Sequence, residues 1–353
     1  MQLSLTQLLL TTVMLRQGLT SLRLRMGTNS TPKPFFRPPL NLHTIINLRV
    51  MHLIDVDDVS VLKSLGLALQ ASAQLEQLSI WADHQSQLSV DTLFKQWHEP
   101  APFRLRSLDI RGFFDIGTSA KRFWAAIPPT KLRELTLQLG PHFLMQDSAD
   151  FWDASIQAEL RPAQLASNLG ATGLQDFLMS FSGLEAFQLL PSDMPRPMEP
   201  MRALMNALES HHFASLRVLG LSPFRCEARY MLDVSNLTFL VGALPNIEEF
   251  RFSLPGFNAE LIETALLLPR LRVVQIDPVH DDSRMQSRFS KFILHLLHKG
   301  VARNLTYIAF DDADVREIFR DPIHMSNKIS LVGYVDGTVL LKEKALDWVR
   351  PYF

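Results

Sequence analysis

The sequence predicts an α/β solenoid, with a curved parallel sheet on its concave face and helices on its convex face. Three observations lead there. The pattern Leu-x-x-Leu-x-Leu, other large apolar residues allowed, recurs from Leu19, Leu48, Leu75, Leu105, Leu132, Leu184, Leu216, Ile247, Leu271 and Leu305. The second position is charged in eight of these ten copies and the fifth is never large and apolar. That is the alternation a strand with one covered face requires. Eight of the nine spacings between successive copies fall between 24 and 34 residues, the length of one coil of strand, loop, helix and loop.

The elements follow in chain order. Leu3, Leu5, Leu8, Leu9, Val13 and Met14 read as the helix of a first coil with an uncovered outer face. This stretch lacks a basic leader and a small-residue cleavage site, so it does not read as a signal peptide. Segments 31–41 and 191–200 are rich in proline and are expected to be loops. Helical stretches, with apolar residues three and four apart, precede the copies at Leu75, Leu105, Leu216, Ile247 and Leu305. Pro128, Gly183, Pro245, Pro269 and Gly300 serve as stop signals. The 52-residue gap between Leu132 and Leu184 holds either a helical insertion near 140–170 or a degenerate repeat. Residues 1–328 thus form the solenoid. Residues 329–353 form a C-terminal cap, a hairpin turning at Asp336-Gly337 followed by a short helix.

Composition narrows the class. Lys plus Arg is 35 against 36 for Asp plus Glu, which argues against nucleic acid as a partner. No apolar run is long enough to span a membrane. The one cysteine, Cys226, cannot form an intrachain disulfide and favours an intracellular, reducing location.

With these repeats the chain resembles the leucine-rich-repeat family, and within it the irregular long-repeat proteins common in fungi, many of which carry an F-box ahead of the repeats. The resemblance runs from about Leu19 to Phe310. It implies a solenoid whose concave sheet binds a protein partner. In F-box members it implies recruitment of substrates through a ubiquitin-ligase adaptor. No leucine-proline-led F-box helix stands ahead of the repeats here, and the asparagine ladder of regular repeats is missing.

Catalytic and cofactor motifs are sparse. The sequence holds no phosphate-binding glycine loop, nucleophile elbow or metalloprotease helix, and no cofactor is expected. His295 with His298, and His211 with His212, lack converging ligands and read as ordinary helix residues. Cys226 lies beside Arg225 and Arg229 but has no evident base. The acidic clusters at 54–58, 280–283 and 310–315 lack the glycine and glutamate of a calcium loop and read as helix caps.

The open sheet face remains as the candidate surface, at the third, fifth and seventh residues of each copy. There the candidate partner-binding residues are Trp81, Asp109, Arg111, Glu134 and Arg251, because an indole flanked by arginine has the composition of a binding hot spot. The alternative is that Trp81 folds over the sheet edge into the following loop. A non-catalytic protein-interaction module is the expected function. The substrate-recognition part of an F-box-type ligase is the second expectation. An enzyme with a site in 140–170 is the third.

Overall fold

The computed structural model describes residues 20–25, 47–83, 86–95, 105–116, 120–140, 145–169, 173–190, 201–221, 232–254, 256–278, 283–310, 314–320 and 329–333. The chain divides into two units, Met1–Ser180 and Phe181–Phe353. The N-terminal helix, both proline-rich segments, Cys226, Asp336-Gly337 and the C-terminal helix lie outside the described residues.

The first unit repeats one step along the sheet. Its strands are β1 (Ser21–Arg25), β2 (Val50–Val56), β3 (Gln77–Ala82), β4 (Ser107–Phe113), β5 (Glu134–Leu139) and β6 (Gln164–Ser167). They are parallel and pair in chain order. Between them run α1 (Val59–Ala71), α2 (Asp91–Phe94), α3 (Ala120–Ala126) and α4 (Met145–Gln157), and α5 (Leu174–Met179) follows β6. Consecutive helices touch one another, as they must when every crossover has the same hand and packs on one sheet face.

Local chemistry explains these elements. Asp58 caps α1, accepting from the Ser60 amide at 2.7 Å, which bears out the capping role expected of that cluster. Val61, Leu62, Leu65 and Leu69 are buried along one side of α1. In the strands, Met51, Leu53, Leu78, Ile80, Leu108, Ile110, Leu135 and Leu137 are buried. Each is the fourth or sixth residue of a copy, so the repeat pattern is the pattern of the core.

Sequence 140–170 is not an insertion. Residues 145–157 form α4, and β6 pairs in parallel with β5, Leu165 beside Leu135. The gap therefore holds a degenerate repeat, with Pro162 and Ser167 where the other copies carry large apolar residues. Phe94, Phe123, Trp124, Phe151, Trp152 and Phe177 form a continuous aromatic line through successive helices. Edge-on and stacked pairs of this kind contribute about 0.5–1.5 kcal/mol each beyond their burial. Both indole N–H groups are satisfied: Trp124 donates to Ser155 Oγ at 2.9 Å and Trp152 to the Leu169 carbonyl at 3.0 Å. The Asn168 amide closes β5, accepting from Leu139 N at 3.0 Å and donating to Leu139 O at 2.7 Å.

The second unit contains the parallel strands β7 (Ala186–Leu189), β8 (Val218–Leu221), β9 (Glu249–Leu254), β10 (Val273–Pro278) and β11 (Tyr307–Phe310). Its helices are α6 (Met201–His212), α7 (Val234–Ala243), α8 (Ala259–Ala265) and α9 (Ser283–His298). Asp233 and Asn258 cap α7 and α8. Gly300, with φ +79, ends α9. Its amide bonds Leu297 O and the next amide bonds Leu296 O, the paired closure that a left-handed residue permits.

Asparagines just ahead of two copies tie coil to coil. Asn246 donates to Phe213 O and Asn304 to Pro269 O. Thr306, two residues after Asn304, donates to Arg272 O. The charged second positions form a ladder at the sheet margin, Arg217 and Arg272 both reaching Glu248, at 2.9 and 3.8 Å.

After β11 the direction changes. β12 (Asp314–Arg320) and β13 (Ile329–Gly333) add antiparallel strands. The acidic stretch at 310–315 thus leads into a strand rather than capping a helix. Among the described residues, no helix is long and apolar enough to cross a membrane.

Candidate interaction surface on the strands of the first unit

The parallel register turns the alternating positions into rows across the face away from the helices. The third-position row reads Ser21, Val50, Gln77, Ser107, Glu134, Gln164. The fifth-position row reads Arg23, His52, Ser79, Asp109, Thr136, Ala166. In the seventh-position row Arg25 lies beside Ile54, and Trp81, Arg111 and Gln138 lie side by side.

Trp81 stands between two irregular strands. On one side β2 shifts register between Leu53 and Val56, where Asp55 has φ +59. On the other, β4 shifts between Arg111 and Phe113 around Gly112, φ +73. Bulges bend a strand and re-aim its side chains. Gly112 is required there, because a Cβ would lie 2.4 Å from the Ala82 carbonyl oxygen.

Three of the five candidate residues come together. Asp109 Oδ1 accepts from Arg111 Nε at 2.7 Å. Its Oδ2 accepts from Trp81 Nε1 at 3.0 Å and Ser79 Oγ at 3.3 Å. The Arg111 guanidinium carbon lies 4.6 Å from the Trp81 ring centroid, within cation–π range. The indole is thus held at its nitrogen and covered on one face, and it remains half-buried on the sheet. It does not fold away into the following loop. Ser79 completes the cluster. The sequence places it on the open face but gives no sign of its bond to Asp109.

The other two candidates lie apart. Glu134 is exposed at the start of β5, one strand and one row away from Asp109. Arg251 belongs to the second unit and is buried, its side chain only 7% exposed. Its Nε donates to Asp277 at 2.6 Å, and Gln275 donates to the other oxygen of that carboxylate at 3.1 Å. The expectation that Arg251 faces solvent is therefore corrected. Gln188, Ser253, Gln275, Tyr307 and Ala309, from the same alternating positions, are buried too.

Two of the described histidines bond within the fold. His212 is fully buried, its Nδ1 accepting from the Leu184 amide at 3.3 Å, with Phe181 4.9 Å away. His298 bonds the Leu294 carbonyl within its own helix. Among the described residues, no three His, Cys, Asp or Glu side chains are grouped to hold a metal ion. No protein-family model matches the sequence, and no curated protein matches it.

Proposed function

We propose that this chain is a leucine-rich-repeat protein acting as a non-catalytic interaction module, and that the polar sheet face of its first unit is the working surface. The observation that carries the reading is Trp81, half-buried on a mostly polar face and fixed by Asp109 and Arg111. A fixed indole offers a large contact area without ordering cost on binding, and tryptophan with arginine dominates binding hot spots. Arg251 has no part in this surface, because its charge is already buried against Asp277.

Affinity purification with the full chain as bait tests the proposal. Trp81→Ala and Arg111→Ala should each weaken capture of the recovered partner at least tenfold, with only a modest change in melting temperature. The helix-side variants Lys63→Ala and Lys291→Ala should capture it normally. Full capture by both sheet-face variants would place the working surface elsewhere.

A further inference from the structure

We infer that the partner presents a short extended segment with an acidic residue, an apolar anchor and a basic residue at fixed separations across this face. The inference rests on the interaction reading above and adds the chemistry of the occupant.

The charges near Trp81 are asymmetric in accessibility. Both oxygens of Asp109 are taken by Arg111, Trp81 and Ser79. Asp55 is bonded by Arg25 at 2.7 Å. These carboxylates hold the surface together, and their acceptor capacity is directed at its own side chains. The cations of β1 are placed differently. Arg23 is exposed, and the Arg25 side chain is 63% exposed although its Nε is tied to Asp55. A guanidinium engaged through Nε still has two terminal nitrogens with which to receive a carboxylate. On the far side of Trp81, Glu134 is exposed on β5 and carries the opposite sign. The face therefore runs from cationic at β1, through the indole at β3, to anionic at β5.

Strand spacing sets the dimensions. Neighbouring strands lie about 4.8 Å apart, so β1 and β5 each lie roughly 10 Å from β3. An extended chain advances about 3.3 Å per residue. A segment crossing the strands places its acidic residue over Arg23 and Arg25 about three positions from the side chain on Trp81. Glu134 lies four residues down β5 from Gln138, which is aligned with Trp81 through Arg111. It is therefore about 13 Å along the strand as well as roughly 10 Å across, and a basic residue meets it about five positions further on. The occupant is acidic-x-x-apolar-x-x-x-x-basic, read from β1 towards β5.

The test pans the full-length chain against a random 12-residue peptide library displayed on phage, then measures the enriched peptides by fluorescence polarisation. The expected peptides carry Asp or Glu about three positions from an aromatic or large aliphatic residue. Their affinity should fall at least tenfold with Trp81→Ala and with the Arg23→Ala/Arg25→Ala double variant, and fall with added salt. Lys63→Ala should bind them normally, and thermal melts should show each variant folded. Enriched peptides that need Trp81 but lack the acidic residue would overturn this inference and leave the interaction surface standing. Peptides insensitive to both Trp81 and the arginine pair, or no enrichment, would overturn it as well, the insensitive peptides also counting against the surface. Equal binding of a scrambled peptide of the same composition would mean unspecific charge attraction and would also overturn it.

Discussion

Replacing Gly112 by alanine probes the geometry that aims Trp81 and Arg111. Two costs add at this position. The backbone holds φ +73, a left-handed conformation that costs an L-residue roughly 1–2 kcal/mol. The new methyl would also stand 2.4 Å from the Ala82 carbonyl oxygen. That atom belongs to the backbone of β3, so relief requires a strand to move, and such overpacking costs about 1–3 kcal/mol. The expected loss is about 2–5 kcal/mol. Gly140→Ala is the control in the same unit. Its methyl would stand 3.1 Å from the Phe113 carbonyl oxygen, and its φ lies outside the left-handed range, so its cost should stay below about 1 kcal/mol. Urea unfolding followed by circular dichroism gives both values, and indole fluorescence reports any shift of Trp81. Equal midpoints for the two variants would refute the bulge and the close approach of β3 to β4.

Other substitutions test the packing. Leu135→Asp, in a side chain 1% exposed, should cost about 3–5 kcal/mol by analogy with stranded buried charges, whereas Thr136→Ala should fall within about 0.5 kcal/mol. Thr136→Asp is not a neutral control, because residue 136 lies beside Asp109; comparable thermal shifts for Leu135→Asp and Thr136→Ala would mean the strand period is misassigned. Asn168→Ala leaves the buried Leu139 amide and carbonyl without their side-chain partner and should cost about 2–4 kcal/mol, so an unchanged unfolding midpoint would contradict the closure of β5. His212→Asn keeps an acceptor near the Leu184 amide and should destabilise the second unit less than His212→Leu, a ranking that calorimetry can check.

Among the described residues, ten of the eleven parallel strands were legible because their fourth and sixth residues are large and apolar, and a one-sided strand needs little else to be recognised. β6 escaped because Ser167 occupies one of those positions, with its hydroxyl accepting from the Leu169 amide, and Pro162 stands where a leucine opens nearly every other copy. Trp81, Asp109 and Arg111 were legible as neighbours because the side-chain period is two and parallel register aligns equivalent positions. The bonds among them were not legible, since both bulges arise from register shifts between strands distant in sequence. Arg251 obeys the same alternation as Arg23, yet one is buried and the other exposed. Alternation assigns a side chain to a face, while the cover over that face is a tertiary property. The acidic run at 310–315 looked like the other caps because aspartate suits both a helix start and a turn into a strand.

Hydroxyl-radical footprinting of the purified complex, once a partner is in hand, tests most directly whether the sheet face of the first unit is the working surface. Oxidation is read residue by residue with and without the partner. The account predicts that Trp81 becomes strongly protected, while Met179, exposed at the end of helix α5, oxidises at an unchanged rate. Unchanged oxidation of Trp81 together with protection along α1 and α3 would contradict it.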